Sequence, residues 1–324
     1  MWQQARLKGL VCLLFYSSIA LTSVPTAFAQ QVSHQRLHNE ALNQYELNYQ
    51  WRDQNNTLRN LNFTLQQPGS EGLFDSLRQL SPQRINRSLI RPLSQYARAQ
   101  GWHQLEVSLA SQQSAIIYEP NLRNSKTAQK RTALMREREQ IERQLLLEKH
   151  YLTFLNVPPN QYGVAPDHPR IALASSSAVA PVSRAFYDSL GGSSPRQYVD
   201  VITSFIQSIP YSPLTNRLEA GGKGFSPPAQ LLIENRGDCD SKVTLAAAVL
   251  RNLMPNISMA VVYLPNHALL AIAINALDDD TTIEHQGVKL VVLELAGPTQ
   301  LSVGKLTDTS ALHVLNGNIT VKSI

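Results

Sequence analysis

Cysteine is nearly absent from this chain of 324 residues; the two present are Cys12 and Cys239. Two thiols cannot build a disulfide scaffold or supply a four-cysteine zinc site. Aromatic residues make up 7% of the chain, too few to mark a stacking surface for single-stranded nucleic acid. Charge is also sparse: 16% of residues are charged, and the formal net charge of +5 is too small an excess to imply a nucleic-acid partner. Past the N-terminus there is no apolar run of roughly 18 residues, the minimum for a membrane-spanning helix. What remains is a chain that is 43% hydrophobic, enough to fill a core and to exclude wholesale disorder. At roughly 150 residues per domain its length suggests about two domains.

The N-terminus reads as an export signal. Arg6 and Lys8 give a basic start, an apolar stretch follows from Leu10 to Leu21, and Ala27-Phe28-Ala29 offers the small-x-small cleavage pattern. Pro25 and the shortness of the apolar stretch argue against a membrane anchor. Residues 1–29 are therefore expected to leave as a signal peptide, with Cys12 among them, and the Gram-negative periplasm is the expected compartment. Cys239 then stands alone.

Residues 30–125 read as an N-terminal mixed α/β domain. Tyr45, Leu47, Tyr49 and Trp51 alternate, as do Leu61, Phe63 and Leu65, with Asn55-Asn56 between them, so a β-hairpin is expected. Ser81-Pro82 starts a helix that Pro92 should kink or split. Leu105, Val107 and Leu109 predict one further strand and Ile116-Ile117-Tyr118 another. Leu134, Ile141, Leu145, Leu152 and Leu155 predict a long helix over 126–157, stopped by Pro158-Pro159. Residues 158–195 carry Pro166, Pro169, Pro181, a serine run and Gly191-Gly192, and read as a linker. From 196 to 324 helix and strand signals alternate, and the chemistry is concentrated there.

Its centre is Gly237-Asp238-Cys239-Asp240-Ser241-Lys242. Val243, Ala246, Ala247, Leu250 and Leu253 follow at helical spacing, so Cys239 falls at a helix start. Unpaired N–H groups there act as a partial positive charge, which favours a thiolate and can receive the oxyanion of acyl transfer. Asp238 and Asp240 read as cap and first-turn acids, and Lys242 could pair with either. A thiolate nucleophile needs an imidazole and a group to orient it. His267 opens a strand pattern, and Glu294 lies on the apolar face of the next, where an unpaired carboxylate would be costly. The acidic turn Asp278–Asp280 should join those two strands and be solvated. His285, in a turn, and His313, on a tail strand, are weaker rivals to His267.

The segment from about 196 to 310 resembles the transglutaminase-like superfamily of papain-like thiol enzymes, which includes bacterial transglutaminase-like cysteine proteinases. The residues that carry the likeness are the Gly-Asp-Cys helix start, His267-Ala268, and Glu294-Leu295-Ala296-Gly297-Pro298, with Phe205–Tyr211 ahead of them. Many members carry Asp where this chain has Glu294, and an aromatic residue where it has Leu269. The resemblance implies an α+β chain with a papain-like C-terminal domain and a Cys239–His267–Glu294 triad. By analogy with upstream side-chain donors, Gln207 would be a second oxyanion donor. The implied activity is amide acyl transfer without metal or organic cofactor, most simply as a cysteine peptidase or amidase. A peptide, a protein or a cell-envelope component would be the substrate; nucleic acid would not be a partner. Acyl transfer to an amine, and a non-catalytic binding module keeping the same fold, are the alternatives.

Overall fold

The computed structural model describes residues 31–67, 82–102, 106–109, 116–119, most of 129–141, 151–159, 161–214, 224–297 and 299–324. The expected signal peptide lies outside the described residues. The elements form an α+β arrangement of helices and antiparallel sheets. No helix among the described residues is long and apolar enough to cross a membrane.

The chain begins with a three-stranded antiparallel sheet of β1 (Gln31–Asn39), β2 (Gln44–Arg52) and β3 (Leu58–Gln66). The expected hairpin is β2–β3, with Leu47 opposite Phe63 and Tyr49 opposite Leu61. Its turn is held by Asp53, whose carboxylate accepts from the Asn55 and Thr57 N–H groups, while Asn56 takes a left-handed φ of 60°. Every second side chain of β2 and β3 (Leu47, Tyr49, Trp51, Leu61, Phe63, Leu65) is buried, as the period of two requires. β1 carries no such pattern; its side chains are half-buried or exposed, and pairing with β2 holds it in place.

The next helix, Pro82–Ala99, is one element with Pro92 inside it rather than two. Its Leu89, Leu93 and Ala97 pack with Val107 and Leu134 into a small separate core. The two expected short strands are β4 (Glu106–Leu109) and β5 (Ile116–Glu119), and they pair antiparallel with each other.

Two expectations from the middle of the chain need correction. The helix foreseen over 126–157 does not run to its end: residues 129–141 are helical where described, but Leu152–Val157 is strand β6, paired with β7 (Gln161–Pro166). Leu152 and Leu155, counted as helical, lie on this hairpin. The stretch 158–195 is not a plain linker, since it also holds helices His168–Ser175 and Ala180–Leu190. Its prolines misled because Pro169 and Pro181 sit in the first turns of these helices, where no N–H is missed. Asp167 caps the first of them.

Helix Pro195–Ser208 starts with a reciprocal capping box between Ser194 and Gln197. Helices Pro228–Glu234 and Cys239–Leu253 follow, and then a five-stranded antiparallel sheet. Its strands are β8 (Met259–Leu264), β9 (His267–Ile272), β10 (Thr282–His285), β11 (Val288–Leu293) and β12 (Thr320–Ser323), in the order β10-β11-β9-β8-β12. Alternate residues divide the sheet between two cores. Val261, Leu270, Ile272, Val291 and Leu293 pack with the Cys239–Leu253 helix and with the β2–β3 face. Val262, Leu264, Leu269, Ala271, Leu290 and Val292 fill the opposite side, with Val314 of helix Asp308–Leu315 against them. The Cys239–Leu253 helix therefore packs against β9 on one side and against the other helices on the rest of its surface.

Candidate active site

Chain geometry before Cys239 is over-determined. Asn235 ends helix Pro228–Glu234 in the left-handed region, with φ 53°. Its side chain exchanges two hydrogen bonds with that of Gln31, and Arg36 donates to the Ile233 carbonyl, so β1 braces this turn. A Cβ on Gly237 would lie 2.5 Å from Leu231 Cδ1, so any larger residue there would force the buried Leu231 side chain to shift. The Gly237 N–H donates to Pro210 O, and Gly237 O accepts from the Ser212 N–H. Asp238 is the helix cap, accepting from the Ser241 N–H at 3.0 Å. Cys239 is the first helical residue, and its N–H is one of those that a helix start leaves without an intrahelical acceptor.

The thiol is 8% exposed and donates to Asp240 Oδ1 at 3.2 Å. Burial pushes it well up from its ordinary range, and the carboxylates of Asp240 and Asp238 push the same way; the Ala268 N–H facing the sulfur opposes them. This corrects the expectation drawn from the helix start. At rest Cys239 is a thiol, because desolvation and two adjacent negative charges outweigh a partial positive charge.

His267 is the first residue of β9, immediately before Ala268. Its Nε2–H donates to Glu294 Oε1 at 2.6 Å, which leaves Nδ1 as its second ring nitrogen. Burial pulls the imidazole down, but the hydrogen bond and charge of Glu294, with the charge of Asp240, more than reverse this, and its pKa is raised. Glu294 directly follows β11, the neighbour of β9, and is 4% exposed. The two strands are neighbours and antiparallel as expected, but β10 stands in the connection between them, so no simple turn joins them. Nor is the acidic turn fully solvated: the Asp280 side chain is 1% exposed and gripped by both terminal nitrogens of Arg196.

Sequence reasoning missed two members of this neighbourhood. Ser310, 3% exposed near the start of helix Asp308–Leu315, donates to Glu294 Oε2 at 2.8 Å, so both carboxylate oxygens are engaged. The only advance signal was Thr307, which caps that helix. His168 stands on the other side of Asp240, with its Nε2 3.6 Å from Asp240 Oδ2 and its Nδ1 2.9 Å from the Tyr263 hydroxyl oxygen. The ring is 1% exposed and Nε2 has no hydrogen-bond partner. Burial lowers the pKa of His168 despite Asp240 and Asp167. It was missed because it lies in the stretch read as linker.

Gln207 does not have the role expected of it. Its amide nitrogen donates to Glu294 O at 2.7 Å and to Leu301 O at 3.0 Å, and its oxygen accepts from the Leu301 N–H. Both amide hydrogens are spent, so Gln207 fixes the chain around Glu294 and has no donor to offer an oxyanion. Gly297, with φ +62°, passes so close that a Cβ would lie 2.4 Å from Gln207 O. Lys242 pairs with neither aspartate; it donates to the carbonyls of Ile209 and Ala296. His285 bonds to Ser323 at the far end of the sheet. His313 is helical rather than on a strand, and with His267, Glu294 and Ser310 it lines an open cleft of about 220 Å³. No cluster of three or more metal-ligating side chains occurs among the described residues. No protein-family model matches the chain, and no curated protein matches it in sequence.

Proposed function

We propose that the chain is a thiol-dependent amide acyl-transfer enzyme of transglutaminase-like type, with Cys239 as nucleophile, His267 as base and acid, and Glu294 as orienter. One observation carries this reading: the 2.6 Å His267–Glu294 pair stands at the residue before Ala268, whose N–H faces the Cys239 sulfur. The raised thiol pKa defines how the chemistry runs. Cys239 gives its proton to His267 Nδ1 as it attacks the substrate carbonyl, rather than waiting as a preformed thiolate. Glu294 stabilises the imidazolium so formed, and Ser310 holds Glu294 in place. The Cys239 N–H stabilises the oxyanion. His267 then protonates the leaving amine, and water releases the acyl group as a carboxylate. The substrate is a peptide, a protein or a cell-envelope component reached after export.

A second reading is release of the acyl group to an amine. It is favoured by the Asp240 carboxylate beside the thiol, whose side chain is 35% exposed and would attract an ammonium group. Both readings are tested by incubating the protein with a peptide mixture, with and without a fluorescent primary alkylamine, and following new termini and amine incorporation by mass spectrometry. New carboxyl termini lost in Cys239→Ala support hydrolysis, and Cys239-dependent amine incorporation supports transfer. Equal product from wild type and Cys239→Ala contradicts both and leaves a binding module.

A further inference from the structure

Lys242 is a lysine with no exposed surface, three residues after Cys239 on the same helix. Buried ammonium groups are costly unless their donors are used. Its Nζ gives two hydrogen bonds, each 2.6 Å, to Ile209 O and Ala296 O. These carbonyls belong to different segments. Ile209 precedes Pro210 and Tyr211, which bond and bridge to Gly237 in the cysteine turn. Ala296 lies two residues beyond Glu294. One side chain thus ties the nucleophile helix to the turn before it and to the end of the acid-bearing strand.

An uncharged side chain could fill the same volume more cheaply, so the charge needs its own explanation. The titratable groups facing Lys242 are Cys239 and Asp238; the two other segments against it present carbonyl oxygens. Asp238 and Asp240 both oppose a thiolate at Cys239. Gln207, also buried here, is neutral and its amide hydrogens are spent on Glu294 O and Leu301 O.

We propose that Lys242 is a positioning residue for acyl transfer, which holds the three site-bearing segments together and supplies the positive charge against which Cys239 gives up its proton. This rests on Cys239 being the nucleophile. Burial lowers Lys242 to about 7, with Cys239 and Asp238 working against the fall. A thiolate at Cys239 and the Asp238 carboxylate both favour the charged form of Lys242.

The test is the pH profile of Cys239 alkylation by iodoacetamide, read by mass spectrometry in wild type, Lys242→Met and His267→Ala, alongside thermal melting. Methionine keeps the length of the side chain and removes the charge. The expected result is a Lys242→Met midpoint shifted upward, with alkylation near neutral pH about tenfold slower, the equivalent of one pKa unit. A Lys242→Met protein that melts differently but keeps the wild-type midpoint overturns the proposal, because that is what a purely structural lysine does. A His267→Ala profile identical to wild type sinks the nucleophile reading instead. If Lys242→Met does not fold, wild type is alkylated with iodoacetate in one sample and iodoacetamide in another, and its lysines are followed by carbon-13 NMR. A buried lysine that titrates higher beside the charged carboxymethyl group than beside the neutral adduct supports the coupling, and equal midpoints refute it.

Discussion

The two sides of Cys239 each present a histidine and a carboxylate, and they behave in opposite ways. On one side His267 donates to a buried Glu294 at 2.6 Å and is 23% exposed through its side chain. On the other, His168 is sealed in the core, 3.6 Å from an Asp240 carboxylate that is 35% exposed. The imidazole of His267 is held above its usual range by Glu294, whereas burial holds that of His168 below. A neighbouring acid therefore does not make a histidine a base. The short hydrogen bond to a desolvated carboxylate overcomes burial, while the longer approach to a hydrated one does not. In the proposed mechanism the His267 side is the one that picks up and releases a proton, while burial favours a neutral ring on the His168 side as part of the packing.

The largest expected effect separates the two histidines directly. His267→Ala should lower kcat/KM by roughly 10³-fold or more, as Cys239→Ala should. His168→Ala should cost about 2–4 kcal/mol of stability through its cavity and the orphaned Tyr263 hydroxyl, yet leave turnover per folded molecule within about tenfold. Kinetics corrected for the folded fraction check both. Glu294→Gln should cost about 10²- to 10⁴-fold in kcat, as expected when an orienting acid is neutralised. Ser310→Ala should cost only the roughly 2- to 10-fold worth of one hydrogen bond.

Asp240→Asn probes the opposite side. It removes a charge that opposes the thiolate, so the Cys239 alkylation midpoint should fall by about one unit, and alkylation near neutral pH should rise about tenfold. The smallest effect lies in stability against pH. His267 has a raised folded-state pKa, so its contribution is complete below about 6.5 and fades as pH rises through the folded value. His168 has a lowered one, so its contribution is present above about 6.5 and is lost as pH falls toward the folded value. Melting curves of His267→Gln and His168→Gln against wild type should therefore diverge with opposite slopes, and parallel slopes would erase the distinction between the two sides.

Where local pattern and tertiary role agreed, sequence was a sufficient guide. The β2–β3 hairpin, the helix that starts at Cys239, and the neighbouring strands bringing His267 to Glu294 all follow from periodicity and from the cost of an unpaired carboxylate. β1 was illegible because a polar edge strand has no buried face to advertise it. The helices at 168 and 180 were hidden by prolines that mark helix starts as readily as loops. Within the site, sequence shows residue types but not where their hydrogen bonds go. Gln207, Lys242 and Ser310 took roles decided by which carbonyl or carboxylate lay beside them. The resting state of Cys239 turned on burial, and the helix start alone suggested the opposite direction.

In the proposed mechanism His267, held by Glu294, takes the proton of Cys239. The decisive measurement is the rate of Cys239 alkylation as a function of pH in wild type and in folded His267→Ala. Proton transfer to His267 gives a wild-type profile with a limb that follows the titration of His267, and faster alkylation at neutral pH than in the variant. Superimposable profiles, each with the single midpoint of an isolated buried thiol, would contradict it.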